Sequence, residues 1–174
     1  MLNIVVSKDS KYNPSKAKQL VEEVKKEDRQ NLVISMSTNS TYLDIAEYLQ
    51  REWEKIGITV KVDVMPPSTL RQSIATNKVS FFRGSWIADY PDAENYLSLF
   101  YSKNFTPNGP NYTHFKNETY DQLYENALQT VNDEQRIALY QQMDEIIANE
   151  VPVIVLFYDT VARFSHKNVS NLGI

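Results

Sequence analysis

Length, composition and charge narrow the class of protein before any motif is considered. The 174-residue chain is 42% hydrophobic, which is enough for one folded domain of ordinary size. Its formal net charge of −4 argues against a nucleic-acid binder, because such a protein needs a basic face to meet phosphates. The chain has no cysteine, which excludes disulfides and thiolate metal sites.

Hydrophobic spacing predicts alternating helices and strands along the first half of the chain. Asn13 can cap the first helix, and Pro14 suits its first position, where a missing N–H costs nothing. The second helix is the clearest, since Leu43, Ala46 and Leu49 recur at helical spacing. The predicted helices span 12–27, 40–57 and 66–77, and the predicted strands span 31–38, 58–65 and 78–86. This order with short connections favours an α/β layered sheet with right-handed crossovers.

The second half contains a loop, two helices and one more predicted strand. Residues 102–117 are rich in Asn, Pro and Gly and predict a loop. Helices are predicted over 118–131 and 133–150. Residues 151–159 are almost uninterruptedly apolar and predict a buried strand, which 160–166 would continue or pair with. We expect the strands at about 32–37, 58–65, 79–86 and 152–158 to share one sheet covered by helices.

The stretch FFRGSWIADYPDAENYLSLFYS, residues 81–102, places three carboxylates among aromatic rings directly after a predicted strand. Asp92 suits a helix N-cap, with Glu94 close to the positive end of that helix. Asp89 is either a binding residue or a turn residue. A catalytic acid pair is the alternative from another class, but acids this close in sequence rarely reach the geometry of a glycosidase pair.

Other catalytic and metal-binding patterns are missing from the sequence. No Ser-His-Asp set and no glycine-rich phosphate loop is present, so we do not expect an enzyme. His114 and His166 lie in unrelated segments without the spacing of metal ligands, so neither a metal site nor a cofactor is expected.

The acidic and aromatic stretch resembles the signature near the C-terminus of bacterial extracellular solute-binding proteins of family 5. These are the peptide-, oligopeptide- and nickel-type receptors of ABC importers. Three further pieces resemble the family in the same order: YNPSKAKQLVEE, AEYLQREWEKIGITVKVDVM and NDEQRIALYQQMDEIIANEVPVIVLFYDT. The resemblance implies a periplasmic-binding-protein-like lobe with a mixed sheet covered by helices. It also implies that residues 1–174 form a single α/β lobe, a truncated part of a two-lobe receptor.

The resemblance also implies a set of ligand-binding residues. In peptide-binding members the acid of the W-x-A-D-Y pattern meets the ligand's α-ammonium group, and the matching residue is Asp89. A buried ammonium needs such a partner, because an unpaired buried ion costs several kcal/mol. The rings of Trp86 and Tyr90 either line this site or pack in the core. Arg83 matches a basic residue that takes the ligand's carboxylate in some oligopeptide receptors, and is otherwise solvated or salt-bridged.

The function implied by the resemblance is that of the substrate-binding component of an ABC importer. It would capture short peptides in a cleft between two lobes and deliver them to permease subunits in the membrane, with the missing N-terminal lobe as a further partner. The location would be extracytoplasmic, in the periplasm or on a lipid anchor. The signal sequence is expected outside this fragment, since MLNIVVSKDS lacks the pattern of one. Two alternatives stay open: a sensor or scaffold that reuses the lobe, and a nickel or other-solute receptor.

Overall fold

The computed structural model describes residues 12–28, 31–158, 162 and 164–169. Helices of 4 to 18 residues and a small sheet make up this part of the chain. The helices are α1 (Pro14–Asp28), α2 (Leu43–Glu54), α3 (Pro67–Ala75), α4 (Glu94–Leu97), α5 (Glu118–Gln129) and α6 (Asp133–Glu150), and the strands are β1 (Val33–Thr38) and β2 (Thr59–Val64). Single 3₁₀ turns cover Ser40–Tyr42, Ser98–Phe100 and Ser102–Asn104.

The two strands form a parallel pair that α2 covers. Val33 pairs with Thr59 at one end of the register and Thr38 with Val64 at the other. Parallel neighbours require a crossover, and α2 supplies it between β1 and β2. Met36, Ala46 and Val60 are buried at the contact, with Leu49, Trp53, Ile58, Val62 and Phe81 packed around them.

The predicted third strand over 78–86 is wrong in extent, because the structure reduces it to one bridge. Ser37 donates its N–H to Phe81 at 2.9 Å, and its carbonyl accepts the N–H of Arg83 at 3.0 Å. The bridge between Ser37 and Phe82 is parallel, and no strand extends from it. Residues 81–83 therefore lie beside β1 and enter the acidic and aromatic stretch from that edge.

A second core joins α4, α5 and α6. Tyr120 and Met143 are completely buried there, together with Leu97, Tyr124, Ala127 and Tyr140. The hydroxyl of Tyr120 donates to the carbonyl of Leu97 at 2.7 Å, so the buried phenol has a partner. This core holds the short helix α4 against two long helices, although an isolated helix of that length would be unstable.

Asparagine side chains cap the N-termini of three of the helices. Asn13 accepts the N–H of Lys16 at 3.0 Å, which confirms its prediction as the cap of α1. Asn117 accepts the N–H of Tyr120 at 3.0 Å. Asn132 accepts the N–H of Gln135 at 2.9 Å and so caps α6. Each of these hydrogen bonds satisfies a main-chain donor that has no partner inside the helix.

The buried strand predicted over 151–159 is wrong for residues 151–158. Val151 ends α6 with a left-handed backbone (φ 49°), and 152–158 then run without strand pairing. The apolar side chains of this run are exposed, from 36% for Val153 to 64% for Tyr158. An apolar sequence becomes a buried strand only beside a second strand, and none of the described residues supplies one here.

The loop predicted over 102–117 is confirmed, but it is more ordered than its composition suggests. Asn111 is completely buried inside it, and its Nδ2 donates to the carbonyls of Tyr101 and Phe115, each at 3.0 Å. The predicted continuation over 160–166 lies partly outside the described residues, and residues 162 and 164–166 carry no strand. No helix in the described part of the chain has the length and apolar character needed to span a bilayer.

Candidate functional site

The candidate site begins with Arg83, at the edge of β1. Its guanidinium carbon lies 3.3 Å from the centroid of the Tyr42 ring, and its Nη1 donates to Ser85 Oγ at 3.3 Å. A guanidinium over a tyrosine face is a favourable cation–π arrangement. Arg83 is therefore held by a ring at the start of α2 and by its own main-chain hydrogen bond to Ser37.

Trp86 and Asp89 meet at one side chain, that of Asn95 on α4. The indole Nε1 of Trp86 donates to Asn95 Oδ1 at 2.7 Å, and the main-chain N–H of Asp89 donates to the same oxygen at 3.3 Å. Asn95 Nδ2 then donates to Asp89 Oδ2 at 3.4 Å. Asn95 is buried, Trp86 is partly buried and Asp89 is exposed. The carboxylate of Asp89 thus lies at the surface and is hydrogen-bonded to a buried side chain, that of Asn95.

Tyr90 is tied to the same helix by Glu94. Its hydroxyl and that of Tyr124 each donate to a different oxygen of the Glu94 carboxylate. The hydrogen bond to Glu94 is the main reason why the pKa of Tyr90 is raised, because ionised Tyr90 would repel the carboxylate. Burial is the main cause for Tyr124, whose pKa is raised strongly. Glu94 therefore joins the loop of Tyr90 to α5 in the core.

Asp92 has a structural role, as its sequence position predicts. Its Oδ1 accepts the N–H of Glu94, the first residue of α4, at 2.9 Å. Its Oδ2 lies 3.6 Å from Arg136 Nη2 on α6. The interaction with Asp92 also contributes, after burial, to the raised pKa of Tyr140. Asp92 therefore accepts the first N–H of α4 from two residues before the helix and pairs with Arg136 on α6. The N-cap position itself is Ala93 rather than Asp92, so the predicted capping position is wrong by one residue.

The structure brings three of the four predicted site residues together and keeps the fourth apart. Trp86, Asp89 and Tyr90 surround the start of α4 through Asn95 and Glu94. No hydrogen bond or ion pair joins Arg83 to Asp89 in the described residues, so the two charges remain available for separate groups. No group of three or more metal-ligand side chains occurs among the described residues.

Two residues of this site were missed in the sequence prediction. Asn95 makes hydrogen bonds to both Trp86 and Asp89, and the ring of Tyr42 lies against the guanidinium of Arg83. Asn95 carries a weak sequence signal, since Asn is a poor helix former yet stands inside an otherwise favourable run, six residues after Asp89. Tyr42 carries none, because its contact with Arg83 depends on how β1 and α2 place the two segments.

The fold is that of part of a lobe of a periplasmic binding protein, which confirms the predicted fold class. The structure of the ABC transporter-associated periplasmic binding protein DppA from Helicobacter pylori, in complex with peptide STSA, superposes with a TM-score of 0.75. It is 26% identical, over 83% of this chain and 28% of that chain. The described sheet is parallel, so the mixed sheet of the prediction is not formed by these residues.

The chain belongs to the bacterial extracellular solute-binding proteins of family 5. The family model, described as the middle part of these proteins, matches residues 4–108. The dipeptide-binding protein DppE of Bacillus subtilis is 33% identical over 167 residues, which are 93% of this chain and 30% of the relative. Di/tripeptide-binding protein 1 of Pseudomonas aeruginosa is 26% identical over 172 residues, 96% of this chain and 32% of that protein. The chain spans about 30% of the length of the curated relatives it matches.

Family membership bears on three of the sequence predictions. The family consists of solute-binding proteins rather than enzymes, so it gives no support to a catalytic pair among the acids at 89–94. It is an extracellular family, in agreement with the predicted location outside the cytoplasm. It is also a family of solute-binding proteins by its description, in agreement with the predicted role in solute binding.

Proposed function

We propose that this chain is part of a lobe of an ABC-importer receptor that captures short peptides and binds their α-ammonium group through Asp89. The observation that carries the proposal is the exposed Asp89 carboxylate, supported by the buried Asn95 beside the Trp86 indole. The relatives support the ligand class, since they include a dipeptide-binding protein and a receptor in complex with a peptide.

The electrostatics explain why the proposed site needs a second covering surface. Asp89 is exposed on this chain, and an ion pair between solvated groups contributes about 1 kcal/mol or less. The same pair gains strength when a ligand is enclosed from both sides and water is excluded. Closure of the rest of the receptor over Asp89 by a hinge motion would supply that enclosure.

The other predicted residues have roles that their contacts allow. Trp86 would form a wall beside the ammonium site, with its indole N–H already satisfied by Asn95. Tyr90 would form a second wall, with its hydroxyl engaged by Glu94. Arg83 would bind the ligand's carboxylate, because the guanidinium keeps donors beyond the one that Ser85 accepts. Asp89 and Arg83 would then bind the amino and the carboxyl end of a short peptide.

The remaining parts of the proposal concern the whole receptor. The loaded receptor would deliver its peptide to permease subunits in the membrane. It would act in the periplasm or as a lipoprotein on the membrane surface. Residues 1–174 would belong to a single lobe that works with the N-terminal lobe of the same protein.

The test compares two substitutions against two forms of one peptide, in the full-length receptor at fixed pH and salt. Asp89→Asn keeps the shape of the side chain and loses its charge. We expect it to weaken binding of a free-amine peptide by about 30-fold to several thousand-fold, as measured by calorimetry. Binding of the N-acetylated peptide, which has no ammonium group, should change much less.

Asp92→Asn is the matched control for this comparison. Asp92 accepts the N–H of Glu94, and Asn can accept the same hydrogen bond. The control should therefore leave free-amine binding close to that of the wild type. Unchanged free-amine affinity in Asp89→Asn, or a larger loss in Asp92→Asn, would show that Asp89 is only a turn residue.

A further inference from the structure

Asn95 is a buried side chain on which two of the predicted site residues converge. It is 4% exposed and lies in the middle of α4. Its Oδ1 accepts from Trp86 Nε1 at 2.7 Å and from the N–H of Asp89 at 3.3 Å, and its Nδ2 donates to Asp89 Oδ2 at 3.4 Å. The amide therefore uses both its acceptor and its donor on these two residues.

We propose that Asn95 is a positioning residue that fixes the Trp86 indole and the Asp89 carboxylate relative to each other, so that both face the same ligand group. As far as the ligand is concerned, this rests on the proposed function of Asp89. The fixed geometry matters because a charge partner that is already oriented loses less conformational entropy when the ligand binds.

The main chain around Asn95 is hydrogen-bonded and packed on the core. Asn95 donates its main-chain N–H to the carbonyl of Asp92 at 3.2 Å, and its carbonyl accepts from Ser98 Oγ at 3.0 Å. Leu97 is 4% exposed in the core of α4, α5 and α6, and its carbonyl accepts the hydroxyl of Tyr120. Asn95 is thus anchored both to the loop, through Asp92, and to the short helix that packs in the core.

The position requires an amide rather than a side chain of the same shape. Leu would fill the volume but would leave the Trp86 indole N–H and the Asp89 N–H without an acceptor, at the cost of desolvated donors. Asp would keep the acceptor for the indole but would place a second carboxylate where Nδ2 now donates to Asp89. Asn and Gln carry the acceptor and the donor on separate atoms of one amide, and Gln is longer by one methylene.

The first arm of the test measures the indole contact without any ligand. The full-length receptor is labelled with ¹⁵N at tryptophan, and Trp86→Phe identifies the signal of the Trp86 indole. In Asn95→Leu we expect that signal to shift and its hydrogen exchange with solvent to become several-fold faster. Asn95→Asp, which keeps the acceptor, should leave the exchange slow. An unchanged signal in Asn95→Leu would overturn the proposal, because a residue that only fills space would give that result.

The second arm measures peptide affinity in the same variants. Asn95→Leu should weaken binding of a free-amine peptide by about tenfold, since two hydrogen bonds that orient Asp89 are lost. The matched control is Asn126→Leu, at an exposed position of α5 whose side chain has no hydrogen bond to another described residue. It should leave both the indole signal and the affinity unchanged.

The two arms separate failure of this proposal from failure of the proposed function. If Asp89→Asn weakens free-amine binding but Asn95→Leu does not, Asn95 has no positioning role and the function of Asp89 stands. If Asp89→Asn has no effect while Asn95→Leu alters the indole signal, the ammonium site is wrong. The hydrogen-bond role of Asn95 is then confirmed, but its link to the ligand is overturned.

Discussion

The hydroxyl of Tyr124 on α5 donates a hydrogen bond to Oε1 of Glu94, the first residue of α4. Tyr90 donates to the other oxygen of the same carboxylate, so Glu94 connects the candidate site to the core. Tyr124 is 5% exposed, and its ring stacks on Tyr101 with the two centroids 4.5 Å apart. A core residue thereby determines where the start of α4 lies.

Removal of this hydroxyl should destabilise the protein while the packing is kept. Tyr124→Phe preserves the ring in the core but leaves Glu94 Oε1 without its donor. Hydrogen bonds to charged groups contribute about 1.5–3 kcal/mol, and we expect a loss in the free energy of unfolding within that range. The measurement is urea denaturation at pH 7 followed by circular dichroism.

The control for this prediction is Tyr96→Phe. Tyr96 is also on α4, is 44% exposed, and its hydroxyl has no hydrogen-bond partner among the described residues. Its replacement should change the free energy of unfolding by less than about 0.5 kcal/mol. Equal effects of the two substitutions would contradict a specific role for the bond between Tyr124 and Glu94.

The fold could be predicted from the sequence where the signals are local. The six helices were predicted close to their observed positions, with α4 inferred only from Asp92 as its cap, because amphipathic spacing and caps such as Asn13 are properties of a few neighbouring residues. The β1 and β2 pair was also predicted. The strands predicted at 78–86 and 151–158 were wrong, because a strand needs a partner strand, and local sequence does not show whether one lies beside it.

The site was predicted to a smaller extent than the fold. The choice of Asp89, Trp86 and Tyr90 came from the family resemblance, and their role stays a prediction. The structural role of Asp92 beside α4 is confirmed, although the N-cap position that the sequence predicted for it is held by Ala93. Asn95 could not be identified, because an internal asparagine gives no indication of which groups its amide will meet.

Alkaline pH should destabilise the protein through its buried tyrosines. The pKa values of Tyr120, Tyr124 and Tyr140 are all raised, and burial is the largest cause for each. A tyrosine in the unfolded chain ionises near pH 10, whereas these three resist ionisation while folded. Their contribution is therefore complete below about pH 10 and is lost as the pH rises further.

The expected loss can be measured by urea denaturation at pH 9 and pH 11. Each tyrosine that stays protonated in the folded state lowers the free energy of unfolding by up to about 1.4 kcal/mol per pH unit above its unfolded pKa. The three together should therefore lower it by at most about 4 kcal/mol at pH 11, and by less where solvent screens them. Tyr140→Phe should reduce the pH dependence by about a third. A variant with the same pH dependence as the wild type would show that Tyr140 ionises equally in both states.

The contact between Arg83 and Tyr42 should appear as a coupling energy. The guanidinium carbon lies 3.3 Å from the ring centroid, and Arg83 is only partly buried. Cation–π pairs at such positions are worth about 0.5–1 kcal/mol. A double-mutant cycle of Arg83→Met and Tyr42→Leu, measured by urea denaturation, should give a coupling of that size. Additive effects would show that the ring does not hold the guanidinium in solution, and Arg83 would then lack the fixed position proposed for ligand binding.

Asp144 on α6 should be a source of instability at neutral pH. Its side chain is partly buried, and it has no hydrogen bond or ion pair with another described residue. Burial raises its pKa above the ordinary value of 3.8, because desolvation disfavours the charged form. Asp144→Asn removes the charge with little change in shape, and we expect a gain in the free energy of unfolding at pH 7 of the order of 1 kcal/mol or less.

The pH dependence of that gain distinguishes an effect of charge from an effect of packing. Above the raised folded pKa, Asp144 is ionised in both states, and the folded state bears the full cost of the buried charge. As the pH falls through the folded pKa towards 3.8, Asp144 takes up a proton and the cost disappears. The free energies of unfolding of the wild type and Asp144→Asn should therefore converge in acid. Glu145→Gln, at an exposed position of the same helix, should have little effect at pH 7. A gain in Asp144→Asn that persists below pH 3.8 would show that the asparagine packs better, and that the unpaired charge of Asp144 is not the cause.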